Sequence, residues 1–140
     1  MFLATYKWYK LHNMKKMLLL MGLISAALFS FRPQNDTEQI IQALKTGNAS
    51  LIAYHFDSYI DLTLPGKDEI KNIGKNQAGI TLKTFFDENG VRGFDLTSQR
   101  EAGSTMYMAG KLIAKNKSYN LTVLLKNKDG KHQITSVRIN

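Results

Sequence analysis

The chain has 140 residues, 44% hydrophobic and 21% charged, which fits one globular domain and excludes a disordered or low-complexity protein. Of its 19 Lys and Arg, four (Lys7, Lys10, Lys15 and Lys16) precede residue 28, where no acid occurs; the other 15 face all 11 Asp and Glu, scattered singly. That is no nucleic-acid footprint, which needs Lys and Arg clustered on one face. There is no cysteine, so disulfide scaffolds, cysteine nucleophiles, thiolate zinc sites and a lipid-modified N-terminal cysteine are all excluded.

Residues 1–31 read as a targeting segment. Met14-Lys15-Lys16 is a basic start, and residues 17–31 form an apolar run too short to span a bilayer but right for a secretory signal. Small residues place cleavage near Ala27 or Ser30, and Met14 is an alternative initiator to Met1. The expectation is export across an inner membrane to the periplasm or beyond. The competing reading is an uncleaved anchor with Tyr6, Trp8 and Tyr9 at the interface, the only membrane contact expected.

Residues 33–140 are expected to form a single domain. Asp36 with Gln39 is a capping-box pattern opening a helix whose stripe is Ile40, Ile41 and Leu44, ended by Gly47. Asn48 caps a second short helix, with Leu51, Ile52 and Phe56 together on it. Period two over residues 58–64 predicts a strand, and residues 67–75 a loop or irregular edge segment. A third helix starts at Asn76 with Ala78, Leu82, Phe85 and Phe86 as its buried stripe, and Gly79 inside it predicts close packing. Residues 91–99 form the next strand. A meander then follows over residues 104–115, 117–127 and 131–139, with a bulge expected in its last strand. Helices placed ahead of an antiparallel sheet give an α+β fold, with the sheet strongly bent around the long helix.

This order, α-α-β-α-β-β-β-β, resembles the cone-shaped fold of the nuclear transport factor two superfamily, also described as cystatin-like. Several segments are similar to a family of exported Bacteroidetes-type proteins, a domain of unknown function with that fold. They are Ile41 to Asn48, Leu51 to Asp57, Ile60-Asp61-Leu62, Lys75 to Ala78, Leu82 to Phe86, and Tyr107 to Leu112. The resemblance implies the cone and an exported location, and no established activity. In such proteins a histidine commonly sits near the end of the strand after the long helix; here that place holds Gln99, followed by Arg100.

No nucleophile elbow, phosphate-binding loop or dinucleotide fingerprint is present. His55 with Asp57 and Asp61 is the one metal-ligand grouping worth naming, and a half-exposed helix-end histidine explains it as well. No metal and no cofactor is expected. A cone enzyme of the isomerase, dehydratase or hydrolase kind would need a pocket carboxylate as base and a tyrosine as oxyanion donor. Here those would be Asp61 or Asp95 with Tyr107, beside Tyr54 and Tyr59, although alternation puts both aspartates on the outer side of their strands. The preferred expectation is a non-enzymatic binding or interaction module. It would hold a small apolar ligand or a protein partner in a pocket lined by Phe85, Phe86, Phe94, Met106, Met108 and Tyr59. A homodimer through the sheet face is a further expectation.

Overall fold

The computed structural model describes Lys10, residues 13–18 and residues 35–140. The chain divides into Met1–Gln34 and Asn35–Asn140, each taken by itself. Residues 13–18 are helical and exposed; the rest of the expected targeting segment, with its cleavage positions, lies outside the described residues. Among the described residues no helix is long and apolar enough to cross a membrane.

Helix α1 spans Asp36–Lys45. Its cap is Asn35, one residue before the expected Asp36: the Asn35 side chain accepts the Glu38 N–H at 3.2 Å. Asp36 is thereby freed for another task, described below. At the far end Gly47, at φ +63°, donates to Leu44 O, and Asn48 donates to Ala43 O, both at 3.0 Å. This pair of bonds closes the helix as a Schellman turn.

Helix α2, Ala49–Tyr54, is capped by the Asn48 side chain at 3.1 Å from Leu51 N. Ile52 is buried, but Leu51 is 52% exposed and Phe56 belongs to the next strand, so the expected three-residue stripe does not form. Helical spacing matched these positions, but the helix stops at the His55 cap before Phe56 is reached.

Strand β1 is Phe56–Thr63, with Ile60 and Leu62 turned inward. The expected loop contains a short edge strand, β2 (Ile70–Gly74). Helix α3, Lys75–Asn89, buries Ala78, Leu82 and Phe86, with Phe85 partly covered. A Cβ on Gly79 would lie 3.1 Å from the Ala53 Cβ, so α2 and α3 touch closely there. Strands β3 (Gly93–Ala102), β4 (Thr105–Ile113), β5 (Ser118–Lys128) and β6 (Lys131–Ile139) complete the chain.

The six strands form one sheet in the order β2-β1-β6-β5-β4-β3. β1 and β6 run parallel and every other pair is antiparallel, so the sheet is mixed rather than wholly antiparallel. The register slips at Thr97 in β3 and at Thr135 in β6, the second being the expected bulge. Side chains of the inner face, from Ile60 to Ile139, pack with α1, α2 and α3 in one core.

Candidate binding site

The expected helix–sheet pocket is filled. Phe86, Phe94, Met106 and Met108 are 3%, 4%, 6% and 0% exposed and belong to the core. Gly110 shows how the space closes: a Cβ there would sit 2.2 Å from Asp95 O and about 2.5 Å from the Phe94 ring. Phe94 therefore lies flat on bare backbone. Of the six expected pocket residues, only Phe85 lines the open concavity described below. Tyr59 stands on the exposed side of β1, at 61%.

The aspartates and tyrosine named for catalysis do not converge. Asp61 accepts the Asn72 N–H at 2.8 Å on the outer side of β1, where Asn72 takes a left-handed turn (φ 58°). Asp95 is exposed, and Tyr107 lies on the outer face between Leu124 and Arg100. Asp57 is tied to Lys128 at 2.6 Å, and that bond holds its carboxyl below the usual value despite partial burial. Among the described residues no group of three or more His, Asp or Glu is placed to hold a metal ion.

The open concavity instead runs along the outer flank of α3, where the helix leaves the end of the sheet. Its volume is about 580 Å³, within the range of small-molecule clefts. Phe85 and Tyr119 meet edge-on, with centroids 5.3 Å apart at 69°. Such a pair is held by ring quadrupoles as well as by burial. Asn89 clamps both residues: its amide donates to Phe85 O at 2.8 Å, and its carbonyl accepts the Tyr119 hydroxyl at 2.9 Å. Leu64, Pro65 and Ile80 supply apolar walls, and Ile80 is 60% exposed. Lys67, Lys117 and Glu88 form the rim, with the Lys117 ammonium 4.6 Å from the Tyr119 ring centroid. The hydroxyls of Thr81 and Thr84 bond back to Gln77 O and Ile80 O at 2.8 and 2.9 Å. The groove thus sets the Phe85–Tyr119 pair and a few aliphatic groups among the polar side chains of Gln77, Thr81, Thr84 and Asn89, with Lys67, Lys117 and Glu88 at the rim.

Phe85 was among the expected pocket residues, whereas Tyr119, inside the expected strand 117–127, was not. The Asn89–Tyr119 bond joins a helix end to a strand start 30 residues on, and no local pattern signals it.

A second polar centre was also missed. Asp36 accepts from the His132 backbone N–H, contacts the His132 ring Nδ1 at 3.0 Å and takes the Thr37 N–H at 2.8 Å. Burial alone would raise the Asp36 pKa, but the His132 contacts and the Thr37 N–H together outweigh it and hold the carboxyl below its ordinary value. Thr37 Oγ1 approaches the same ring nitrogen at 3.4 Å, and Glu101 lies 3.8 Å from Nε2. Gln99, standing where the resembling family has histidine, donates to Met106 Sδ at 3.5 Å. The cluster ties the start of α1 to the β5–β6 turn.

Three helices laid on a curved six-stranded mixed sheet, with a cleft beside the long helix, define an NTF2-like cone protein. An NTF2-like protein of unknown function from Cytophaga hutchinsonii has the same fold, with TM-score 0.54 at 15% identity over 79% of this chain and 93% of that one. The chain belongs to the DUF4783 family, a domain of unknown function, whose model matches residues 37–140. DUF4783 family proteins from Bacteroides uniformis and Bacteroides ovatus are similar in structure, with TM-scores of 0.70 and 0.67, each at 24% identity. The first match covers 76% of this chain and 96% of that one, the second 72% and 90%. No curated protein matches the chain.

Proposed function

We propose that this domain is an exported binding module of the bacterial envelope, holding a small, largely apolar molecule in the groove beside α3. The observation that carries this is the Phe85–Tyr119 pair, locked by Asn89 in the wall of an open cleft, with Phe85 partly exposed there and Tyr119 largely buried behind it. Two aromatic rings held rigid before a ligand arrives cost little ordering on binding. The basic start at Met14-Lys15-Lys16 and the apolar run after it support export. The alternative, an isomerase, dehydratase or hydrolase, draws no support from Asp61 or Asp95, whose strands turn them away from the core.

Native mass spectrometry of the protein isolated from its own envelope tests the reading, paired with titration of a naphthalene sulfonate dye into the purified chain. A retained small-molecule adduct, and dye binding weakened at least tenfold by Ile80→Glu, are expected. Ile80 is exposed, so that variant keeps the fold. Absence of any adduct together with dye binding indifferent to Ile80→Glu would remove the proposal.

A second reading, a homodimer through the outer sheet face, is favoured by Leu124 and Tyr107, which stand opposite one another on β5 and β4 with Tyr107 38% exposed. Sedimentation equilibrium at tens of micromolar decides it: a dimer that Tyr107→Lys converts to monomer is expected, and a wild-type monomer ends the idea.

A further inference from the structure

A separate small cavity, about 170 Å³, adjoins the Asp36–His132 cluster, since His132 is part of its lining. At ~30 Å³ per water it holds roughly six waters. Three parts of the chain build it: the junction of α2 with β1 brings Tyr54 and His55, the first residue of α3 is Lys75, and the start of β6 brings Lys131, His132 and Gln133. The frame is fixed, because Ile134 N–H donates to His55 O at 2.7 Å where β1 and β6 begin their parallel pairing.

The residues that line this cavity include cations and no carboxylate. Lys75 and Lys131 are both cationic, and two imidazoles stand with them. Lys75 spends one N–H on Tyr54 O at 3.0 Å. Among the described residues neither the Lys131 amine nor the His55 ring nitrogens has a hydrogen bond or ion pair. The nearest carboxylate, Asp36, is already consumed by His132 and Thr37. Glu101 approaches the buried His132 Nε2 only at 3.8 Å, and that nitrogen has no hydrogen-bond partner.

We propose that this cavity binds a phosphate group, with Lys75, Lys131 and His55 as its donors. Lysine ammoniums act on phosphate as point charges and the imidazole N–H adds a directed bond. The state of His55 agrees. Burial holds its pKa below the ordinary value; Asp36 pulls it up, while Lys131 and Lys75 push it further down. An anion seated among these groups would reverse that balance. The site is independent of the α3 groove and shares no lining residue with it.

The test is an amide NMR titration of the full chain with sodium phosphate, against sodium chloride at matched ionic strength. Saturable shifts at His55, Lys75 and residues 131–133 are expected, absent with chloride. Lys131→Gln should weaken the affinity at least tenfold, and His55→Gln should weaken it while leaving the Asp36–His132 link in place. Lys131 is exposed, so the rest of its variant's spectrum should be unmoved. Glycerol phosphate competing for the same shifts would assign the phosphate to a larger carrier, and its failure to compete would assign it to the free ion. Equal shifts with chloride, or phosphate shifts that survive both variants, would overturn the proposal.

Discussion

At the scale of single residues, alternation proved a reliable guide to depth and a poor guide to partners. Met108 and Tyr107 are adjacent, and period two alone put them on opposite faces; they are 0% and 38% exposed. Met108→Ala should therefore cost about 2–5 kcal/mol, measured by urea unfolding, whereas Asp95→Asn, on an exposed position, should leave the midpoint unchanged. The Asp36–His132 link was illegible because its partners lie 96 residues apart and each has a plain local role, as helix-start acid and turn-adjacent histidine. Its effect on acid stability has a definite sign. The folded Asp36 pKa is below the unfolded value of 3.8, so the stabilisation is fully present above that value and drains away as pH falls through the folded pKa. Asp57, lowered by Lys128, acts in the same direction. Asp36→Asn should lower stability near neutral pH and flatten its fall as pH drops below about 4, read as unfolding midpoint against pH.

At the scale of elements, helix ends and turns were written in the sequence more plainly than strand neighbours. Gly47 was readable as a helix stop because few residues accept the left-handed conformation. The structure adds that a Cβ there would stand 2.7 Å from Val91 O. Gly47→Ala should thus cost more than the ~1 kcal/mol expected from conformation alone, with thermal unfolding as the check. Gly110→Ala tests the filled cone: overpacking against Phe94 and Asp95 should cost at least about 1–3 kcal/mol in urea unfolding. The short strand β2 was hidden because its residues are mostly exposed and one of them, Asn72, breaks the extended conformation. The parallel pairing of β1 with β6 was equally hidden, since a strand's pattern states which face is buried and says nothing of which strand lies beside it.

At the scale of the whole molecule, the cone followed from the order of elements, while the cleft did not. The apolar groups expected to line a cavity instead fill it, and the open space moved to the outer flank of α3. Aromatic residues at core spacing cannot declare whether a fold will close over them, because that depends on what distant strands bring against them, as Gly110 of β4 does for Phe94. The sheet order carries one more consequence. β6 lies between β1 and β5 as an interior strand, and Phe56 waits for Ile134, far along the chain, as its partner. Until then β1 has only the short β2 beside it, and the loop to be closed is long. The β3–β4 and β4–β5 hairpins join neighbouring segments and need little loop closure, whereas the β1–β6 pair joins distant ones. The slow step of folding should therefore be the docking of β6 beside β1, which seals the core under both strands.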